Sequence, residues 1–226
     1  MLTARTIGFA MLTLYHCTNA RSFRPLWTLE EMRLPYELKM LPFPPRVLAR
    51  DYLALNPLGT IPLLIDGDTR MTESAAICQY LVSRRGPSPL AVNVDEPDYG
   101  FYLNWLHFGE ATLTFPQTLV LRYSELEPPE RRNPQVVEDY ARWFLARLRG
   151  IDKVVSIRET LCEGRFTAAD ISVGYALMLA TRLKLDPQFP TAVADYWARL
   201  QQRDGFKRAL LSQDKAGDEQ GVARRA

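Results

Sequence analysis

At about 150 residues per domain, a chain of 226 residues makes one large domain or two small ones, and either can bury a core. Its 47% hydrophobic and 24% charged residues are ordinary globular usage, which excludes a disordered chain, a collagen-like repeat and a disulfide miniature. Lys plus Arg is 28 and Asp plus Glu is 26, a net charge of +2. That is too small and too mixed for a nucleic-acid or membrane-surface binder, so a small molecule or another protein is the expected partner.

Cys17, Cys78 and Cys162 form no Cys-x-x-Cys pair, so neither a disulfide framework nor a zinc knuckle is implied, and a reducing compartment is expected. The apolar stretch 171–179 is interrupted by Ser172 and Gly174 and is too short to span a membrane. Residues 1–10 carry one cation, Arg5, and no long apolar core, so they read poorly as a signal peptide, and Met11 is an alternative start. A cytoplasmic protein is expected.

In chain order, Leu12 and Leu14 alternate with Thr13 and Tyr15 as a strand before a polar turn over 16–20. A helix follows, with Ser22 as N-cap, Pro25 in its first turn, and Phe23, Leu26, Leu29 and Met32 as its apolar stripe. Tyr36, Leu38 and Met40 predict a strand over 36–41, ended by Pro42, Pro44 and Pro45. A short helix over 46–55 and a turn over 56–60 lead to a strand over 61–65. Asp66-Gly67 reads as a type I′ hairpin into a strand over 69–72, and a helix begins at about Ser74. The order β-α-β-α-β-β-α is an α/β unit over 11–88.

Gly86-Pro87-Ser88-Pro89 marks a boundary, with a linker over 89–97. Beyond it, helical periods over 99–114, 134–155, 167–184 and 191–211 predict an all-α domain over 98–213, and residues 128–132 a solvated loop. The tail, 214–226, has little to bury and is expected to fray.

Three places could carry chemistry. Pro62 gives no amide hydrogen to a strand ladder; a cis Ile61-Pro62 bond would turn the backbone of Ile61 outward, to pair with an extended peptide-like ligand. An edge-strand proline without a ligand is the equal alternative. At the start of the third helix, free N–H groups and the Ser74 hydroxyl suit a carboxylate while Glu73 suits an ammonium; ordinary capping is the alternative. In the turn 16–22, Cys17 is either a reactive thiol near a helix N-terminus or a small apolar filler; its distance from the helix favours the filler. His16 and His107 are the only histidines, which leaves little material for a metal site or a Ser/His/Asp triad. Thr167 with Asp170 reads as a capping box, and Phe166 with Ile171 as its hydrophobic staple; their role is folding.

Four motifs in register (the strand-turn-helix over 14–31, Asn56-Pro57-Leu58-Gly59-Thr60-Ile61-Pro62, Glu73-Ser74-Ala75-Ala76-Ile77, and Phe166-Thr167-Ala168-Ala169-Asp170) resemble a cytosolic glutathione transferase of bacterial type over 12–212. The resemblance implies a thioredoxin-like domain followed by an all-helical domain, a homodimer, glutathione as cosubstrate, no metal and a detoxification role. It implies that Ile61 pairs with the cysteinyl backbone of glutathione before cis-Pro62, and that Glu73 and Ser74 hold the γ-glutamyl end.

Such proteins divide into Tyr, Ser and Cys types, and in the Ser and Cys types the activating residue lies five before a basic residue of the first helix, here Arg24, which places Asn19 at that position. Asn19 is no nucleophile, but its amide can donate to the thiolate. Thr18 and Ser22 are candidates to share or take over the role, and Tyr15 is the fallback. The lack of Cys there argues against the Cys-dependent branch. Thr60 stands where many members carry Lys, Gln or His, so Arg46 or Arg50 is expected to meet the glycyl carboxylate. Tyr102, Trp105, Phe108 and Phe115 are the expected lining of the electrophile pocket.

The activity implied is thiolate transfer to an electrophilic carbon, with disulfide or peroxide reduction by the same thiolate. Aryl-ether cleavage, dehalogenation and isomerisation are narrower readings, because specificity of that kind sits in pocket shape. A glutathione- or ligand-binding protein without turnover is the rival.

Overall fold

The computed structural model describes residues 11–162 and 164–222; the expectations for residues 1–10 and 223–226 lie outside the described residues. Strand β1 (Leu12–His16) buries Leu12, Leu14 and His16. It pairs in parallel with β2 (Tyr36–Met40) and antiparallel with β3 (Leu63–Asp66), which pairs antiparallel with β4 (Thr69–Met71). The sheet order is β2-β1-β3-β4.

Helix α1 (Phe23–Met32) buries every residue from Phe23 to Leu29, because it is packed against α3 (Ser74–Arg84) and against two helices of the second half. The short α2 (Pro45–Leu48) and a 3-10 turn, Arg50–Ala54, replace the single helix expected over 46–55. This is the expected thioredoxin-like unit.

Two local expectations shift. Pairing of β3 begins at Leu63, since Pro62 has no N–H for the ladder; the Ile61-Pro62 bond is cis. In the hairpin, Asp66 pairs with Thr69, so the loop is Gly67-Asp68 rather than Asp66-Gly67. Of its two residues only Gly67 has positive φ, +58°, which is the pattern of a type II′ turn rather than type I′.

The second half is helical. Helix α4 (Tyr99–His107), a π turn (Phe108–Thr114), α5 (Phe115–Leu121) and a second π turn (Arg122–Leu126) form one continuous rod, longer than the expected 99–114. The first widened turn precedes Pro116, which cannot donate to the carbonyl four residues back and would press on it.

Helices α6 (Pro134–Val155) and α7 (Ala168–Arg182) fall where expected. The capping box is present: Thr167 N–H donates to Asp170 Oδ2 at 2.8 Å and Ala169 N–H to Thr167 Oγ1 at 3.3 Å. Phe166, the expected staple, packs on Trp27 at 5.8 Å between ring centroids. Burial pushes the Asp170 carboxyl up, against hydrogen bonds from Leu161 N–H, Thr167 and Tyr196.

The helix expected over 191–211 is two, α8 (Thr191–Gln201) and α9 (Asp204–Glu219). The tail expected to fray from 214 is therefore helical to Glu219. It buries Ala216 and Gly217, and Gln220 closes the edge of β2, accepting from Met40 N–H and donating to the Leu38 carbonyl, each at 2.8 Å. An amide side chain here satisfies edge groups that would otherwise need another strand.

Arg24 joins the halves. Fully buried in α1, it donates through Nε to Ser172 O (3.1 Å), through Nη1 to Ser74 Oγ (3.2 Å) and to Glu110, and through Nη2 to Gly109 O (2.9 Å) and Thr114 Oγ1 (2.7 Å). All its N–H groups are engaged, and its guanidinium lies 4.3 Å over the Tyr175 ring. The π turn makes this possible, since it places the Gly109 carbonyl and Thr114 within the reach of one guanidinium.

Candidate active site

A cleft runs between the halves. The thioredoxin-like side supplies the turn Thr18–Arg21, Phe43, Pro45, Arg46 and the loop Gly59–Ile61; the helical side supplies Thr114, Thr118, Leu121, Tyr175, Leu179 and Arg182. Three arginines and no carboxylate face it. Arg21 and Arg182 are partnered at its rim, by Glu110 at 2.7 Å and Glu125 at 3.1 Å. Such a lining attracts an anion with apolar parts. Gly59 has φ +59°, and a Cβ there would come 2.5 Å from the Cβ of Arg46, so this glycine lets the Arg46 helix close against the loop. Arg46 lines the cleft; Arg50 does not.

Asn19 sits at the head of α1 with φ +57°, a left-handed conformation that Asn tolerates. Its backbone N–H donates to Gln213 Oε1 at 3.1 Å, and its Oδ1 accepts from Gln213 Nε2 at 2.8 Å. His16 Nε2 also bonds Gln213 Oε1, at 3.0 Å. Burial first of all holds His16 down at about 4, against the raising effects of the Gln213 side chain and the Ser22 backbone. The ring is therefore neutral with the proton on Nε2.

Of the residues expected to act, Thr18, Asn19, Arg46, Thr60 and Ile61 are brought together in the cleft. Pro62 is buried just behind them. Glu73 is exposed at the N-cap of α3, and Ser74 is buried with its hydroxyl accepting from Arg24; neither lines the cleft itself.

The alternatives to Asn19 separate on position. Ser22 is fully buried, and its hydroxyl accepts from Cys17 N–H at 3.3 Å instead of capping α1. Strand alternation puts Tyr15 on the other face of the sheet, 5.4 Å from the Tyr52 ring and off the cleft. Cys17 is fully buried and its thiol is pushed up to about 12 by burial, so it is the apolar filler and no thiolate.

The aromatic lining expected of the electrophile pocket is corrected. Tyr102 and Trp105 are buried in the core where α4 packs on α7, Phe108 lies edge-on to Trp105 at 5.1 Å, and Phe115 is 52% exposed; none lines the cleft. Each residue that a π turn inserts rotates the following face by about 100°. The cleft face of this rod is accordingly Thr114, Thr118 and Leu121. A side groove meets the cleft at Asn19, Leu179 and Arg182 and is walled by Trp197, Phe206 and Leu210.

Sequence reading missed Arg21, Tyr175, Arg182 and Gln213. The composition of α7 carried a signal for Arg182, the charged residue that ends an otherwise core-forming helix; nothing local marked Gln213. Among the described residues no group of three or more His, Cys, Asp or Glu side chains gathers as a metal site, and no helix is long and apolar enough to cross a membrane.

A thioredoxin-like layer and a helical layer meet at a cleft lined by Arg21, Arg46 and Arg182, with the Asn19 amide held at its edge by Gln213. Residues 20–84 match the family model described as the glutathione S-transferase N-terminal domain. Glutathione S-transferase GstB of Escherichia coli K12 is 31% identical over 176 residues, covering 72% of this chain and 80% of that protein. Glutathione S-transferase 3 of Schizosaccharomyces pombe is 29% identical over 203 residues, covering 84% and 82%. The solved glutathione transferase URE2P6 of Phanerochaete chrysosporium, in complex with oxidized glutathione, matches with a TM-score of 0.79 at 27% identity over 91% of this chain and 97% of that one. This chain belongs to the glutathione S-transferase family.

Proposed function

We propose that this protein transfers glutathione to electrophilic small molecules, with the Asn19 side-chain amide donating to the glutathione sulfur. The observation that carries the reading is the Asn19 amide held by Gln213 at the head of α1, beside a cleft to which Arg46 contributes a cation and at whose rim Arg21 and Arg182 are paired with Glu110 and Glu125. Glutathione, with two carboxylates, one ammonium and a thiol, is an anion of the kind such a lining attracts.

In this reading the Ile61 backbone pairs with the cysteinyl unit ahead of Pro62, and Thr60 and Arg46 meet the glycyl end. Glu73 takes the γ-glutamyl ammonium, and Ser74 with the first amides of α3 takes the adjoining carboxylate. Because Ser74 Oγ accepts from Arg24, its own hydrogen is left to donate. Asn19 removes no proton; its hydrogen bond favours the thiolate, so the thiol proton leaves to solvent near neutral pH. The sulfur then attacks the electrophilic carbon and a C–S bond forms; in a substitution the leaving group departs with the electrons of its bond, and in an addition the displaced π electrons stay on the substrate and take up a proton from solvent. Thr18 shares the donor role, and Thr118, Leu121 and Leu179 offer the electrophile an apolar wall. The same thiolate would serve disulfide or peroxide reduction.

The proposal extends to detoxification in the cytoplasm by a homodimer. The buried thiols Cys17, Cys78 and Cys162 suit a reducing compartment, and the exposed apolar Val94 and Phe101 offer surface to a second copy, which sedimentation would detect.

The test is an ultraviolet titration of bound glutathione thiolate against pH in wild type and Asn19→Ala. A thiol pKa of roughly 6 to 7 in wild type, against roughly 8.5 for a free thiol, and a rise in the variant are expected. Glu73→Ala should weaken glutathione binding while Asn19→Ala depresses turnover. An unshifted pKa in wild type would overturn the reading and favour a binding protein without turnover.

A further inference from the structure

We infer that Gln213, on the C-terminal helix α9, is the positioning residue that turns Asn19 into a donor, by selecting which end of the Asn19 amide faces the cleft. The inference rests on the reading of Asn19 given above, and it starts from an asymmetry of hydrogen-bond chemistry.

An asparagine amide has an acceptor end and a donor end of nearly the same shape, and only the donor end can stabilise a thiolate. The backbone N–H of Asn19 can only donate, so the Gln213 atom 3.1 Å from it is the oxygen, Oε1. The other end of Gln213 is therefore its NH2 group, which can only donate. The Asn19 atom that meets it at 2.8 Å is then Oδ1, and both hydrogens on Asn19 Nδ2 are released from this contact. His16 completes the selection. Its Nε2–H donates to the same Oε1 at 3.0 Å, and burial keeps the ring neutral down to about pH 4, so this donor persists over any working pH.

Gln213 is itself held. It is 2% exposed, α9 packs along α1, and one helical face further on Gln220 is bonded twice to the edge of β2. A side chain with three hydrogen bonds, on a helix held near its start by Arg203–Glu31 (2.8 Å) and Arg208–Glu30 (3.2 Å) and at its end by Gln220, cannot rotate its amide without leaving buried groups unpaired, which is costly.

Gln213→Glu separates positioning from packing. At a pH where the introduced carboxyl is ionised, it has nearly the same volume and still accepts from Asn19 N–H and His16 Nε2–H, but it has no hydrogen for Asn19 Oδ1. The Asn19 amide then turns round, presenting Nδ2 to the carboxylate and Oδ1 to the cleft. Loss of one hydrogen bond to a charged group predicts a rise of about one unit or more in the pKa of bound thiol and a fall of about tenfold or more in kcat. The KM for glutathione should stay within about threefold. Gln213→Leu, which adds no charge, should move both quantities in the same direction.

The decisive comparison repeats the Gln213→Glu substitution in an Asn19→Ala background, where a residue acting through Asn19 should change the thiol pKa by less than about 0.3 unit and kcat by less than about twofold. An effect of equal size in both backgrounds would mean that the new charge acts directly, and would overturn the inference. So would a wild-type thiol pKa in a folded Gln213→Leu or Gln213→Glu variant. If Gln213→Leu does not fold, the Glu cycle decides alone. These failures leave the activating role of Asn19 standing if Asn19→Ala by itself raises the thiol pKa; if Asn19→Ala does not, the underlying reading falls and this one with it.

Discussion

Replacing Arg24 by methionine keeps much of the side chain's length and removes the guanidinium that spans α1, the first π turn and α7. The loss leaves Glu110 without one cation and strips the Arg24 hydrogen bonds from Ser172 O, Gly109 O, Ser74 Oγ and Thr114 Oγ1. Breaking a buried ion pair from one side costs about 3–5 kcal/mol. Glu110 keeps 23% side-chain exposure and its second cation, Arg21 at 2.7 Å, and Gly109 O still accepts from Thr114 Oγ1 at 2.7 Å. The lower end, about 3 kcal/mol, is therefore expected. At about 2–4 °C per kcal/mol for a chain of this size, the Tm should fall by about 6–12 °C. Urea unfolding gives the free energy, and an unchanged m-value shows that only stability moved. Since Thr114 lines the cleft, the KM for glutathione or the electrophile should rise as well. A loss under about 1 kcal/mol, or a double-mutant cycle with Glu110→Gln showing no coupling, would refute the view that this guanidinium locks the halves together.

Acid sensitivity should carry the signature of His16. In the unfolded chain it titrates near 6.5 and in the fold at about 4, so between those values the unfolded chain holds the extra proton. Stability should then fall as pH drops from about 6.5 towards about 4, by up to about 3 kcal/mol. His16→Gln, which keeps a donor for Gln213, should flatten that part of a stability–pH curve; an unchanged slope would show that His16 is not the group responsible. Gly59→Ala puts a left-handed Cβ 2.5 Å from Arg46 Cβ and 2.9 Å from Leu53 Cδ2, and should cost about 2 kcal/mol or more of stability. Calorimetry should show weaker glutathione binding in the same variant, because the Arg46 helix is pushed off the cleft, and wild-type affinity would contradict this.

Much of the fold was legible because its signals are local. The alternation of Leu12 and Leu14, the stripe of α1 and the Thr167–Asp170 box connect residues two to four apart, where the geometry of a single element decides the contact. Errors came where a distant partner overrode the local pattern. Residues 214–220 look soluble and uncommitted until the β2 edge offers them two backbone groups. Tyr102 and Trp105 share a plausible pocket spacing, but α7 covers their face, and the π turn hands the cleft to Thr114, Thr118 and Leu121. Arg24 stood in the sequence only as a landmark for counting back to Asn19.

The sequence alone determined that a helix begins at about Ser22, a few residues after Asn19, and that a turn over 56–60 leads through Ile61-Pro62 into a strand. The helix and the strand follow from propensity, periodicity and spacing, which the chain carries wherever it folds, whereas the place of Asn19 among the family's Ser, Cys and Tyr residues follows only from the resemblance. Tertiary structure decided which residues share the cleft, which cations are already partnered, and which end of the Asn19 amide meets Gln213. That last choice is made by Gln213, 194 positions away. An amide is nearly symmetric in shape and opposite in hydrogen-bond character at its two ends, so only a partner of known polarity, brought beside it by folding, selects one.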